Sequence, residues 1–289
     1  KEASMYDTVK FRLNCLEEEK KFLLSNFKFQ LDTSVHYERW SYQLDNLIIK
    51  IYTSYITIEG SLAQFYYGEN LHLLGREEIK QAIDLLSGIL QLDINSAYVT
   101  RIDIAATFEM SHNAKCYFPF LGGCARRKKN LDYETTRYYN SKGEKNPQSS
   151  VFYDKGNQLW KKESHLLRFE CKWSGHLRKQ LDYDRPITAA TLSDPEFYRN
   201  IVLKWMNKYF DIEKINIPVY DPNICNTTSK ALKFLTSYLL KSISEKERMD
   251  IIEFLQNGLN AQERHRFGKN ITELNYKIRM HVLLELGIL

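Results

Sequence analysis

The chain has 289 residues, 43% of them hydrophobic and 27% charged, with a net charge of +5. That length suits one large domain, or a main domain with a small one, and the composition excludes disordered and fibrous classes. The mild positive charge and the 19 Tyr and 15 Phe suit a polyanion-binding or base-stacking protein as well as a Tyr-rich β fold.

In chain order, Met5–Leu13 reads as a strand and Cys15–Asn26 as a charged helix. Met5 is the expected start, with residues 1–4 an extension. Residues 35–59 hold two or three strands rich in Tyr, Ile and Thr, turning at Asp45-Asn46. Arg76–Gln91 is a helix, because Ile79, Ala82, Ile83, Leu86, Ile89 and Leu90 share one stripe. Ala97–Phe108 is a strand, and Gly122–Asn130 ("GGCARRKKN") is expected to be a basic loop. Strands follow at Thr135–Asn140, Ser149–Asp154 and Leu166–Trp173. From about Leu192 the chain turns helical: Ser193–Glu196 reads as a capping box, and Phe197, Ile201, Trp205 and Tyr209 recur every four residues. Ile217–Pro222 is an extended connector, with helices over Lys230–Lys241, Lys246–Gln256 and onward. The expected fold is α+β, an antiparallel sheet with flanking helices. Residues 1–221 form the main domain, and residues 222–289 form a helical region for DNA or partner docking.

The five cysteines form no CxxC pair and no zinc-spaced cluster, which points to a reducing cytosol. No apolar run has the length of a membrane span and no secretory signal is apparent, so a cytoplasmic location and no membrane partner are expected.

Side chains alternate across a strand, so spacing by two shows which groups share a face. In "VTRIDIA" Arg101 and Asp103 share one face, with Ile102 and Ile104 on the other. In "LLRFECKW" Arg168, Glu170 and Lys172 oppose Leu167, Phe169, Cys171 and Trp173. In "SSVFYDK" Val151, Tyr153 and Lys155 oppose Phe152 and Asp154, which leaves Asp154 as a turn former. In "YITIEG" Thr57 and Glu59 oppose Ile56 and Ile58. Each face taken alone reads most simply as a solvated sheet surface. If the strands are neighbours, however, carboxylates, a phenol and an ammonium converge. Two carboxylates suit a hard divalent cation, and a phenol beside a cation is a usable nucleophile for a phosphodiester. Arg101 and Arg168 would hold phosphates or orient the acids. "ARRKK", with Arg126, Arg127, Lys128 and Lys129, reads either as a solvated loop or as a phosphate clamp. Tyr138, Tyr139 and Trp160 are base stackers or strand packing. "NGLNAQERHRFGKN" offers Gln262, Arg264, His265 and Arg266 on a helix-turn-helix, or on a docking surface for a helicase or polymerase.

These residues carry a likeness. The blocks "MYDTVKFRL", "VTRIDIAATF", "SSVFYDKGNQL" and "LLRFECKW", in that order, resemble the gene II/X family of phage and plasmid replication proteins, the rolling-circle initiators. The resemblance covers roughly residues 5–215. It implies a metal-dependent endonuclease and strand transferase that nicks a single-stranded or hairpin origin, forms a 5′-phosphotyrosyl intermediate and works beside host helicase and polymerase. It places the nucleophile and its helper on Tyr153 and Lys155 and its acid-bearing blocks on Asp103 and Glu170, which together with Glu59 are the expected Mg²⁺ or Mn²⁺ ligands. DNA contacts fall on Arg101, Arg168 and the 126–129 run. Many rolling-circle nickases bind metal through a His-hydrophobic-His triplet, and none occurs here. His165 is the histidine nearest the Arg-Phe-Glu block. The alternatives are a mobilisation relaxase or transposase of similar fold, and a non-catalytic origin-binding regulator.

Overall fold

The computed structural model describes residues 5–35, 37–69, 71–124, 127–133, 135–141, 148–158, 165–214 and 261–286. Its centre is a ten-stranded antiparallel sheet. In chain order the first five strands are β1 (Tyr6–Asn14), β2 (Gln30–Leu31), β3 (Trp40–Leu44), β4 (Leu47–Ile51) and β5 (Tyr55–Ser61). The later strands are β6 (Tyr98–Glu109), β7 (Leu121–Cys124), β8 (Arg127–Tyr133), β9 (Thr136–Ser141), β10 (Gln148–Asp154), β11 (Leu166–Ser174) and β12 (Ile212–Lys214). The sheet order is β2-β3-β4-β5-β1-β6-β11-β10-β9-β8, and β7 pairs with β12 in a separate two-stranded ribbon. The strands expected to carry the site, β5, β6, β10 and β11, lie in one run that also includes β1.

The helices are α1 (Glu17–Asn26), α2 (Leu62–Tyr67), α3 (Arg76–Leu90), α4 (Lys155–Gln158), α5 (Leu177–Leu181), α6 (Pro195–Phe210) and α7 (Ala261–Glu285). The apolar parity of every central strand faces one side. There Ile102, Ile104, Phe152, Phe169, Cys171 and Trp173 join one core with Ile79, Ala82, Ile83, Leu86 and Leu90 of α3 and with Phe197, Ile201, Trp205 and Tyr209 of α6, while Ile89 of the expected stripe is exposed. Phe152 and Phe169 stack at 4.3 Å between ring centres, and Trp205 lies 5.0 Å from Phe169. Burying each such ring contributes about 1.5–3 kcal/mol. This layer fixes the two strands that carry Tyr153 and Glu170 from beneath. The last helix, α7, buries Leu274, Ile278 and Val282 in the same core.

Two expectations change. The basic stretch is not a loop: β7 and β8 occupy most of it, and Arg127–Tyr133 pairs with β9 as the outer strand of the sheet. The start of α6 is capped by Asp194, whose side chain accepts from the Phe197 amide, with Pro195 in the first turn. Ser193 ends the preceding 3₁₀ turn instead. Residues 261–285 form one continuous helix that carries Gln262, Arg264, His265 and Arg266, while residues 257–260 of that stretch lie outside the described residues. The connector and the helices expected between 217 and 256 lie outside the described residues, as do Arg126, Trp160 and the expected domain boundary near 221. No helix among the described residues is long and apolar enough to cross a membrane.

Candidate active site

Register places the polar parity of the central strands on one surface. Tyr153 pairs with Arg168, Val151 with Glu170, Glu170 with Ala105 and Lys172 with Asp103. Across β1, Lys10 pairs with both Arg101 and Glu59. The face expected from spacing is therefore real. It divides into two clusters of different character.

Arg101 organises the first cluster. Its Nε donates to Asp103 Oδ1 at 2.9 Å, and a second nitrogen donates to the other oxygen. Its Nη1 donates to Glu59 Oε1 at 2.7 Å, and Lys10 Nζ reaches Glu59 Oε2 at 2.8 Å. Two cations thus balance two carboxylates. Paired with Lys10 and Arg101, Glu59 is held below the usual carboxylate range despite the opposing effect of partial burial. Asp103 is buried and raised by desolvation, with Arg101 pulling the other way.

The second cluster surrounds Arg168, which is fully buried. Its Nη2 donates to Asp7 Oδ2 at 2.7 Å, while its Nε stays 3.8 Å from Glu170. Ser61 Oγ donates to the other oxygen of Asp7 at 2.7 Å. Glu170 Oε2 accepts from the Tyr153 hydroxyl at 3.2 Å. Desolvation, then the nearby Asp7 charge, pushes Glu170 up to about 7. Desolvation also drives the Tyr153 phenol well above its ordinary value; Arg168 opposes this, while Glu170 and Asp7 add to it. The phenol is therefore firmly protonated.

The strand ends at Asp154, as its parity implied. Asp154 Oδ1 accepts from the Asn157 amide at 2.9 Å and so caps the single turn α4. That turn carries Lys155 inward. The side chain is 1% exposed, its Nζ lies 6.0 Å from the Tyr153 ring centre and it donates to Gln158 at 2.9 Å. Desolvation, helped by Arg168, pulls the ammonium down to about 8.

Asp7 escaped the sequence reading. Strict alternation puts it with Val9 and Phe11 in the core. A bulge intervenes: Tyr6 pairs with Ile104 and Val9 with Ile102, so β1 spends an extra residue there. Tyr6 and Val9 both stay in the core while Asp7 turns to the polar face. The only signal was a carboxylate at an apolar parity.

The other expected residues fall as follows. Arg127, Lys128 and Lys129 lie on the outer strand β8, separated from β10 by β9, and their side chains are outside the described residues. His165 is exposed and contributes its carbonyl to the Met110 amide. Tyr139 is fully buried, with its hydroxyl donating to the Gly122 carbonyl at 3.0 Å, so it packs rather than stacks bases. Among the described residues no three His, Cys, Asp or Glu side chains converge as a metal-holding group.

Fold and site together define a sheet-borne centre with a half-buried phenol, a carboxylate of raised pKa and a buried guanidinium. The model of a phage family, described as the N-terminal part of a replication-associated protein, matches residues 5–199, and the chain belongs to that family. Among solved structures it is similar to a rolling circle replication initiator protein from Geobacillus stearothermophilus, with 14% identity and a TM-score of 0.42 over 80% of this chain and 94% of that one. No curated protein sequence matches it.

Proposed function

We propose that this protein starts rolling-circle replication by nicking one strand at an origin, with Tyr153 as the nucleophile. The observation that carries this reading is the Tyr153–Glu170 hydrogen bond beside the buried Arg168. A phenol held by a carboxylate of pKa about 7 has a proton acceptor matched to neutral pH. Glu170 takes the phenolic proton as the Tyr153 oxygen attacks the scissile phosphorus. The new bond is O–P to tyrosine, and the bond broken is P–O to the 3′ oxygen. That oxygen leaves as a free 3′ hydroxyl after protonation, while the 5′ phosphate stays on the enzyme. The Lys155 ammonium, close to Tyr153 and able to release its proton near pH 8, supplies that proton. Arg168 stabilises negative charge as it builds at the phenol oxygen.

The donor chemistry fits a hard divalent cation such as Mg²⁺ or Mn²⁺. Desolvation first, then repulsion from Asp7 and Asp103, raises Glu170 against the pull of Arg168. Mg²⁺ is commonly held by one or two carboxylates, with water and phosphate supplying the rest. With Glu170 serving as proton acceptor, Asp7 and Asp103, each shared with one arginine, are the acids left to hold it. Glu59 is committed to Lys10 and Arg101. When bound, the ion polarises the scissile phosphate and neutralises developing charge.

The test incubates the protein with labelled single-stranded origin DNA and Mg²⁺ or Mn²⁺. A protein–DNA adduct stable to denaturant is expected, and Tyr153→Phe removes it. An adduct of undiminished yield in Tyr153→Phe would overturn the choice of nucleophile.

A further inference from the structure

The polar face does not end at the Arg101 cluster. Beyond it β1 presents Arg12, paired with Thr57 on one side and with Tyr98 on the other. A bulge in β6 produces this, since Lys10 pairs with Arg101 but Phe11 with Val99. The Arg12 guanidinium lies over the Tyr55 ring, 4.0 Å from its centre. Tyr52 stacks on Tyr55 at 4.4 Å and an interplanar angle of 17°. The stack fixes Tyr55, and Tyr55 in turn holds Arg12. The guanidinium face turned away from Tyr55 is set in place. Across the strand pair, Tyr98 is 54% exposed, and its side chain makes no ring or hydrogen-bond contact among the described residues. Tyr98 also forms one wall of a cleft lined by Arg178 and Lys179. Among the described residues Arg12, Arg178 and Lys179 have no carboxylate within ion-pair distance, in contrast to Arg101 and Lys10.

An exposed strand tyrosine is common, and so is a solvated lysine. The combination here is different: a pre-set guanidinium, an uncovered ring beside it and two unbalanced cations next to both. We propose that this end of the sheet, built from Tyr52, Tyr55, Arg12, Tyr98, Arg178 and Lys179, holds a stretch of single-stranded DNA. Its bases stack on Arg12 and Tyr98, and its phosphates lie against Arg178 and Lys179. Stacking on aromatic and guanidinium planes tolerates any base, and unbalanced cations suit the backbone. At about 3.3 Å per residue, β6 from Thr107 to Tyr98 separates this end from the Tyr153 end by about 30 Å. A strand held here is thus a flanking segment, distinct from the phosphate being cut. The proposal rests on the DNA-nicking reading only for the identity of the polymer.

The experiment uses the full chain carrying Tyr153→Phe, so that nothing is cut, and follows anisotropy of a labelled oligonucleotide. Three probes of equal length are compared: an ordinary single strand, a strand with abasic sites, and a duplex. Tyr98→Ala should raise Kd for the ordinary strand about 5- to 150-fold, the worth of one stacked base. It should leave the abasic strand and the duplex unchanged, and Tyr98→Phe should bind as the parent does. Arg178→Gln with Lys179→Gln should weaken the ordinary and abasic strands alike, and the loss should shrink as salt rises. Thermal melting of each variant checks that it folds. Parent-like binding by both Tyr98→Ala and Arg12→Ala overturns the proposal. So does equal weakening of all three probes by Tyr98→Ala, which would indicate a charged surface for DNA of any form. Failure of the adduct assay with the Tyr153 protein would sink the nicking reading and leave this binding result standing.

Discussion

The two Arg-x-acid motifs of this chain, Arg101-x-Asp103 and Arg168-x-Glu170, are alike in sequence and sit on neighbouring strands, yet they do different work. Arg101 grips its own acid and a second one, Glu59, at a half-exposed site. Arg168 turns from its own acid to Asp7 and is wholly buried. The first pair is balanced and serves as a brace across β5, β1 and β6. The second leaves Glu170 with a phenol for a partner and an elevated pKa. On the proposed reading, reactivity would follow from the carboxylate left with the phenol, since one gripped by a neighbouring cation has its charge already spent.

Removing each acid breaks the comparison most directly. Glu170→Gln should lower adduct formation about 10²- to 10⁴-fold, the range for losing a proton acceptor, with little change in DNA binding. Asp103→Asn should cut the rate far less and show mainly as lower stability. Single-turnover cleavage and oligonucleotide binding on both variants check this, and equal rate losses would erase the distinction between the clusters. Arg168→Met comes next. It leaves Asp7 as an unpaired buried charge, a change that typically costs about 3–5 kcal/mol. Denaturant unfolding measures it. Arg101→Met likewise strands the buried Asp103, although Glu59 keeps Lys10, so a loss of similar size is expected there.

Strand parity made most of this legible. Tyr153, Glu170, Asp103, Arg101 and Glu59 each stand on the face that spacing by two assigned them, because a single buried side fixes register. Neither bulge in the β1–β6 pairing could be read. Each adds one residue to one strand, and the gain is seen only across the pair. They turn Asp7 into the site and set Tyr98 opposite Arg12. The partner of Arg168 was hidden for the same reason, since Asp7 is far away in the chain. The basic run at 126–129 read as a loop because four like charges resemble a solvated tip, yet three of them, at 127–129, lie on an edge strand, which tolerates charge well. Tyr139 shows the limit of composition: an aromatic in a basic chain is a base stacker only if the fold leaves it uncovered.

A smaller effect comes from pH. The folded pKa of Glu170 stands above its unfolded value, so the folded state binds the extra proton between about 4.3 and about 7. Its contribution to stability is complete below the unfolded value and is lost as pH rises through about 7. Lys155 is depressed to about 8, so the unfolded state binds more protons above that pH and stability rises toward about 10.4. Unfolding measured across this range should show the first decline, and Glu170→Gln should flatten it. Cleavage should peak between about 7 and 8, where Glu170 is ionised and Lys155 still carries its proton. A flat profile from about pH 6 to 9 would separate both groups from the chemical step.

The smallest change should come from Glu59→Gln. Glu59 is partly exposed and shared by Lys10 and Arg101, and ion pairs of that kind contribute about 0–1 kcal/mol. Its loss leaves Arg101 with Asp103 and leaves Lys10 able to reach water, so nothing buried is stranded. Adduct yield at saturating Mg²⁺ should stay within about twofold of the parent, since a twofold change is under about 0.5 kcal/mol. A large rise in the Mg²⁺ concentration needed for half-maximal cleavage would make Glu59 a ligand. The brace would then belong to the reacting centre, and the line between the two clusters would have to be drawn on the far side of Arg101.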